Sequence, residues 1–240
     1  DVGPAILHTH LFKADVLGAA VADAGEEGPA LVSTKHNEDV YLLRPHWRAL
    51  GRRAARRADA VVAITDGVAR FVRETLGDAA RRVETIPYGL PPPARAGDGD
   101  AFRTAHGVPP GAPLVLCPAR LVEQKDHATL LAALARLDDP PHVVLLGRGP
   151  LRDEIVADAA RRGLSRVILG GFADDLSDAY AAADLVVLAS RHEGLGLVLL
   201  EAAHHAVPAV ATRVGGIPDV VADGATGLLV PPGDAAALAA

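Results

Sequence analysis

The chain has 240 residues, 50% apolar but only 3% aromatic, with 24 Gly and 18 Pro, which suits one large globular domain or two small ones and excludes a disordered tail or a collagen-like rod. Basic residues number 24 against 30 acidic, and a net charge of −6 argues against a phosphate-backbone partner, so no nucleic acid is expected. Apolar runs fall far short of the ~20 residues of a bilayer span, and Cys117, the single cysteine, rules out an intrachain disulfide and points to a reducing, cytoplasmic setting. The chain lacks Met and begins at Asp1, from which a processed or truncated piece with incomplete domains is expected.

In chain order, short apolar runs alternate with amphipathic stretches, the pattern of a mostly parallel sheet covered by helices. Strands are predicted at Ala5–His8, Ala30–Thr34, Ala60–Ile64 and Val83–Ile86, with helices at Ala14–Ala24, Tyr41–Ala58 and Asp66–Leu76. The stretch 91–112 is rich in Pro and Gly and reads as a linker between a first domain, 1–90, and a second, 113–240. Strands follow at Leu114–Cys117, His142–Leu146, Val167–Leu169, Leu185–Ala189 and Ala209–Ala211, with helices at Lys125–Leu137, Leu151–Arg162, Asp175–Ala182 and Leu197–His205. Cys117 sits in an apolar strand and reads as a core residue.

The most informative segment is Ser190-Arg191-His192-Glu193-Gly194-Leu195-Gly196-Leu197-Val198-Leu199-Leu200-Glu201-Ala202-Ala203. An apolar strand ends, two glycines bracket one residue, and an apolar helix begins, so backbone amides at a helix start face the carboxyl end of a strand, an anion-binding arrangement. Glu201 interrupts an apolar run, where a lone acid is normally paired or engaged. The same segment resembles the Glu-(seven residues)-Glu motif of retaining glycosyltransferases of family 4, which have the GT-B fold. Arg120-Leu121-Val122-Glu123-Gln124-Lys125-Asp126-His127, Leu145-Leu146-Gly147-Arg148-Gly149-Pro150 and Gly170-Gly171-Phe172 with Tyr180 and Ala183-Asp184 resemble further segments of that family, in order. So do Val207–Thr212, Gly215–Asp219 and Gly224–Val230, and, on the acceptor side, Leu7–His10, Ser33–Asn37 and Ile86–Gly89.

The resemblance implies an α/β protein of two Rossmann-like, doubly wound parallel-sheet domains facing across a cleft, both truncated here. It implies a retaining hexosyl transfer from a nucleotide-diphosphate sugar to an acceptor hydroxyl, on a lipid-linked sugar, a polysaccharide or a small molecule. In that family Arg120 and Lys125 correspond to residues that contact the diphosphate, two cations that stabilise charge developing on the leaving group without a metal or other cofactor. Glu193 corresponds to the glutamate on the sugar hydroxyls, and Glu201 to the one on the ribose diol. Backbone groups of Gly194, Leu195, Gly196 and Leu197 face the sugar and diphosphate, Phe172 lies where the base is placed, and His36 meets the sugar or the transferred centre. His8 with His10 on one strand face, and the pair His204-His205, lack the full ligand set of a metal site.

Three positions depart from the family pattern: Ala206 and Asp126 stand where Gly is usual, and Tyr88 where Asn is usual. From Arg44 to Arg57 six arginines and no acid flank an apolar seam of Leu43, Trp47, Leu50 and Ala54. Such a helix is a candidate for peripheral contact with the inner membrane face, against the plainer reading of a solvated helix packed on its sheet. A dinucleotide-binding reading of Gly147-Arg148-Gly149 fails because position 152 is Arg where the fingerprint needs Gly. A module that binds a nucleotide sugar without transferring it, or an inactive remnant, is the alternative from another class.

Overall fold

Both series of apolar runs become parallel sheets. The computed structural model describes residues 4–22 and 28–240, so the last two residues of the predicted helix Ala14–Ala24 lie outside the described residues. The chain divides into two units, Asp1–Gly89 with Glu193–Leu195, and Leu90–His192 with Gly196–Ala240. All strand pairings described below are parallel, with an α-helix in each crossover except the last, which holds only the 3-10 turn Ile217–Asp219.

In the first unit the elements run β1 (Ile6–His10), α1 (Phe12–Ala22), β2 (Ala30–Lys35), α2 (Pro45–Arg57), β3 (Ala60–Ala63), α3 (Asp66–Leu76) and β4 (Val83–Thr85), and the sheet order is β1-β2-β3-β4. The predicted helix Tyr41–Ala58 is split. A 3-10 turn covers Val40–Leu43, Arg44 is extended at φ −79° and ψ 132°, and α2 starts at Pro45. Proline excludes its predecessor from the helical region yet suits the first helical position, so it separates the two pieces. The buried face of α2 is Gly51, Ala54 and Ala55, so of the expected seam Ala54 packs inward and Leu50 is half-buried, whereas Leu43 and Trp47 remain exposed. Arg57 is taken up structurally, donating to the carbonyls of Ala22 and Pro29. Helix α3 forms as predicted, with the Thr65 hydroxyl capping the Val68 amide at 3.1 Å.

In the second unit come α4 (Gly99–Ala105), β5 (Leu114–Pro118), α5 (His127–Leu134), β6 (His142–Leu146), α6 (Arg152–Arg161), β7 (Val167–Gly171), α7 (Ser177–Ala182), β8 (Leu185–Leu188), α8 (Leu197–His204), β9 (Ala209–Thr212), β10 (Gly227–Val230) and α9 (Ala235–Ala239). The sheet order is β10-β9-β8-β5-β6-β7. Leu114, Leu116, Val143, Val144, Val186 and Leu188 on its three central strands are completely buried, each stabilising by about 1.5–3 kcal/mol. The stretch 91–112 is not structureless: it contains α4, which packs on α7, and Arg95 pairs with Asp175 and Asp178 at 2.8 and 2.6 Å. Strand β10 and α9 were not anticipated, because Gly224–Gly233 reads as turn residues around a four-residue run. Among the described residues no helix is long and apolar enough to cross a membrane.

Candidate functional site

The chain order of a doubly wound sheet reverses where two successive crossovers run to opposite sides, and loops leaving the strand ends there diverge to open a crevice. In the six-stranded sheet that point lies between β5 and β8, and the two loops leaving it carry Arg120 with Lys125, and Glu193.

The loop after β5 is bedded on the turn after β6. Ala119 and Leu121 donate their amides to the carbonyls of Leu146 and Arg148, both at 2.9 Å. A Cβ at Gly147 would lie 2.0 Å from the Ala119 oxygen and one at Gly149 2.1 Å from the Leu121 oxygen, so only glycines admit this contact. The Gly-x-Gly pair therefore serves the Arg120 loop as a bed. Arg120 is exposed and donates to Gln124 Oε1 at 3.2 Å, while Lys125 closes the 3-10 turn Glu123–Lys125. The predicted helix Lys125–Leu137 consequently starts later, at His127, because Asp126 takes the left-handed conformation at φ +46°.

The loop after β8 carries Glu193, Gly194 and Leu195 and ends at Gly196, whose φ of +79° turns the chain into α8. Thr212 fixes the loop's root by donating to the Ser190 carbonyl at 2.6 Å. Leu197, at the first position of α8, is exposed.

Glu201, one turn into α8, lines a groove of about 570 Å³ together with Phe172, Tyr180, Ser177 and the Leu90–Ala94 stretch. The hydroxyl of Tyr180, a ring only 2% exposed, lies 2.8 Å from Glu201 Oε2 and 3.0 Å from the Val198 carbonyl. Burial first, and the Glu201 charge second, push the Tyr180 phenol well above its usual range, so it stays protonated and orients the carboxylate. The Arg148 guanidinium covers one face of Phe172 at 4.2 Å. Tyr180, whose hydroxyl meets Glu201, carries no role in the sequence, where its one signal is an aromatic four residues into a short helix. The Pro91–Pro93 wall falls in the stretch whose composition predicts a linker.

His36 follows β2 in the other unit. Its Nδ1 meets the Tyr88 hydroxyl and its Nε2 lies 2.8 Å from His10 Nδ1, while His8 Nε2 lies 2.7 Å from Thr34 Oγ1. Successive rings are 4.3, 5.1 and 5.6 Å apart from His8 through His10 and His36 to Tyr88. Burial, then the neighbouring His10 and His8, lowers the pKa of His36. His10 is the partner that sequence reasoning missed. The register of β1 on β2 brings the two together: His10 lies beside Thr34, and His36 follows two residues on, on the same face. The structure thus gathers Arg120 and Lys125 at the end of β5, Glu201 and Phe172 in one groove, and His36 in a separate cluster. No group of three or more His, Cys, Asp or Glu among the described residues is placed to hold a metal ion, which includes His8, His10, His204 and His205.

Two all-parallel sheets with helical crossovers, the second carrying cationic and carboxylate loops at its switch point, are the architecture of GT-B transferases. Residues 112–240 match the model for "Glycosyl transferases group 1" and residues 1–92 that for "Glycosyltransferase Family 4"; the chain belongs to this glycosyltransferase family. A D-inositol 3-phosphate glycosyltransferase from Nocardia farcinica is 33% identical over 94% of this chain and 50% of its own length. The sulfoquinovosyl transferase SQD2 of Arabidopsis thaliana is 28% identical over 96% of this chain and 48% of its own. The chain thus spans about half the length of these curated relatives. Among solved structures, HepE of Anabaena in complex with UDP and glucose superposes with a TM-score of 0.87 at 26% identity, over 98% of this chain and 66% of that one.

Proposed function

We propose that the chain is the nucleotide-sugar-handling part of a retaining hexosyltransferase. The observation that carries this reading is the placement of Arg120, Lys125 and Glu193 on the two loops that leave the switch point between β5 and β8. In this reading the diphosphate lies against Arg120 and Lys125 and the start of α8, the ribose against Glu201, and the base beside Phe172. Binding of UDP and glucose by HepE supports a uridine nucleotide as the first donor to try.

The acceptor oxygen attacks the anomeric carbon as its bond to the diphosphate oxygen breaks, and the acceptor's proton passes to that departing oxygen. Charge accumulates on the diphosphate, where Arg120 and Lys125 stabilise it without calling on a metal. Glu193 holds sugar hydroxyls, and Glu193 and Glu201 do not act as a glycosidase pair, which would have to flank a scissile bond. His36, kept neutral and hydrogen-bonded to Tyr88 and His10, serves the sugar end of the reaction.

Calorimetric titration with UDP, GDP and ADP tests the reading. Glu201→Gln is expected to weaken binding of the preferred nucleotide by about tenfold, the worth of charge-assisted bonds to a diol, while Glu193→Gln leaves it within about twofold and slows sugar transfer. Equal loss of nucleotide affinity in both variants overturns the division of labour, and binding without transfer favours a binding module.

A further inference from the structure

The two loops at the switch point are cross-linked to each other, and the residues responsible have no part in the roles assigned above. The Arg191 amide donates to the Gln124 carbonyl at 2.8 Å, and Gln124 Nε2 donates to the His192 carbonyl at 2.9 Å. The Arg191 guanidinium then forks onto Asp126, with Nε 3.1 Å from Oδ2 and Nη2 3.3 Å from Oδ1. Gln124 also receives Arg120 Nη2 on its Oε1 at 3.2 Å, so one side chain touches both the cationic residue and the backbone immediately before Glu193.

Asp126 is the fixed end of this bridge. Its side chain is 3% exposed, its carboxylate accepts the Thr129 hydroxyl at 2.9 Å and amide at 3.4 Å, and it caps α5. It does so in the left-handed region at φ +46°, which favours glycine and which, among other residues, chiefly Asn and Asp visit. The contacts of its carboxylate hold it there: a helix cap on one side and the Arg191 fork on the other. Burial works to raise the Asp126 carboxyl, but hydrogen bonds from Arg191 and Thr129 outweigh it and hold its pKa below the ordinary value.

We infer that Gln124, Asp126 and Arg191 are positioning residues that set the register of the Glu193 loop on the Arg120–Lys125 loop, so that the sugar and diphosphate ends of one donor are held at a fixed separation. The inference rests on the donor-binding reading above. It predicts that loosening the bridge discriminates between ligands. A nucleoside diphosphate engages the cationic loop and Glu201 and is little affected, whereas a nucleotide sugar must engage both loops together.

The test compares wild type, Asp126→Asn, Arg191→Gln and the double variant by amide hydrogen exchange and by calorimetry with UDP and UDP-glucose. Asp126→Asn keeps an acceptor oxygen for the cap and removes the charge. Each single variant is expected to speed exchange at Arg191 and His192 by about tenfold and to lower UDP-glucose affinity relative to UDP by about tenfold, with no further loss in the double variant. Unchanged exchange there, additive effects, a rise spread over the whole sheet, or an unchanged UDP-glucose to UDP ratio in a protein that binds both would overturn the inference. If wild type binds neither nucleotide, the donor-binding reading fails by itself and exchange alone decides whether the loops are coupled.

Discussion

The two sheets end in contrasting ways at their carboxyl edges. In the four-stranded sheet the ends of β1 and β2 close over a buried polar hub: Asp15 from α1 accepts the hydroxyls of Thr9 and Ser33 at 2.6 and 2.7 Å and pairs with Lys35, all four residues being at most 5% exposed. In the six-stranded sheet buried polar side chains, among them Asp126, Ser190, Glu193 and Thr212, lie on or beside the loops at the switch point, and the shape of those loops is set by Gly147, Gly149, Gly196 and the left-handed Asp126. At the first edge the ion pair Asp15–Lys35 lies wholly inside the end of the sheet. The other is shaped by its backbone turns and exposes Arg120, whose guanidinium meets Gln124.

The sharpest way to break this contrast is at Asp15. Asp15→Asn leaves Lys35 buried without its countercharge and is expected to cost about 3–5 kcal/mol. Amide exchange under native conditions should show the loss in the four-stranded sheet, and equal loss in the six-stranded one would mean that the hub is not local to its own unit. The next effect belongs to His127, which is 3% exposed and has no protein hydrogen-bond partner at either ring nitrogen. Burial, with Lys125 adding to it, pushes its pKa from 6.5 down to about 4. Folded, it stays neutral, whereas unfolded it takes up a proton near its ordinary value, so its contribution is complete above that value and is lost as pH falls toward about 4. Denaturant titrations at pH 7 and pH 4 should lose about 3 kcal/mol more in wild type than in His127→Leu, and matching losses would refute the assignment.

The smallest effect compares two left-handed residues of the same unit. Ala206, at φ +56°, has only a methyl group to set against its strain, whereas Asp126, at φ +46°, has a cap and an ion pair. Ala206→Gly is therefore expected to stabilise by about 1 kcal/mol in thermal unfolding, while Asp126→Gly destabilises despite relieving the same strain. Stabilisation by both would show that the Asp126 contacts are worth less than its backbone strain.

Most of this architecture was legible in the sequence because parallel strands buried on both faces leave dense apolar runs, as at Leu114–Cys117 and His142–Leu146. The switch-point loops were legible through their glycines and through family motifs. What escaped depends on contacts between distant segments, which no local pattern records. The Arg191–Asp126 fork joins residues 65 apart, the Tyr180–Glu201 bond residues 21 apart, and the His10–His36 contact residues 26 apart. Proline at position 45 did give a local signal, and the helix predicted across it ran against the restriction on Arg44.

Cys117 lies in β5 opposite Leu145, 2% exposed, its thiol pushed up to about 12 by burial. A reagent that needs thiolate cannot reach or activate it until the central strand separates from its neighbours. As the only sulfur in the chain, it provides a built-in clock: mass gained from an alkylating agent counts openings of the six-stranded sheet and stays silent on the four-stranded one.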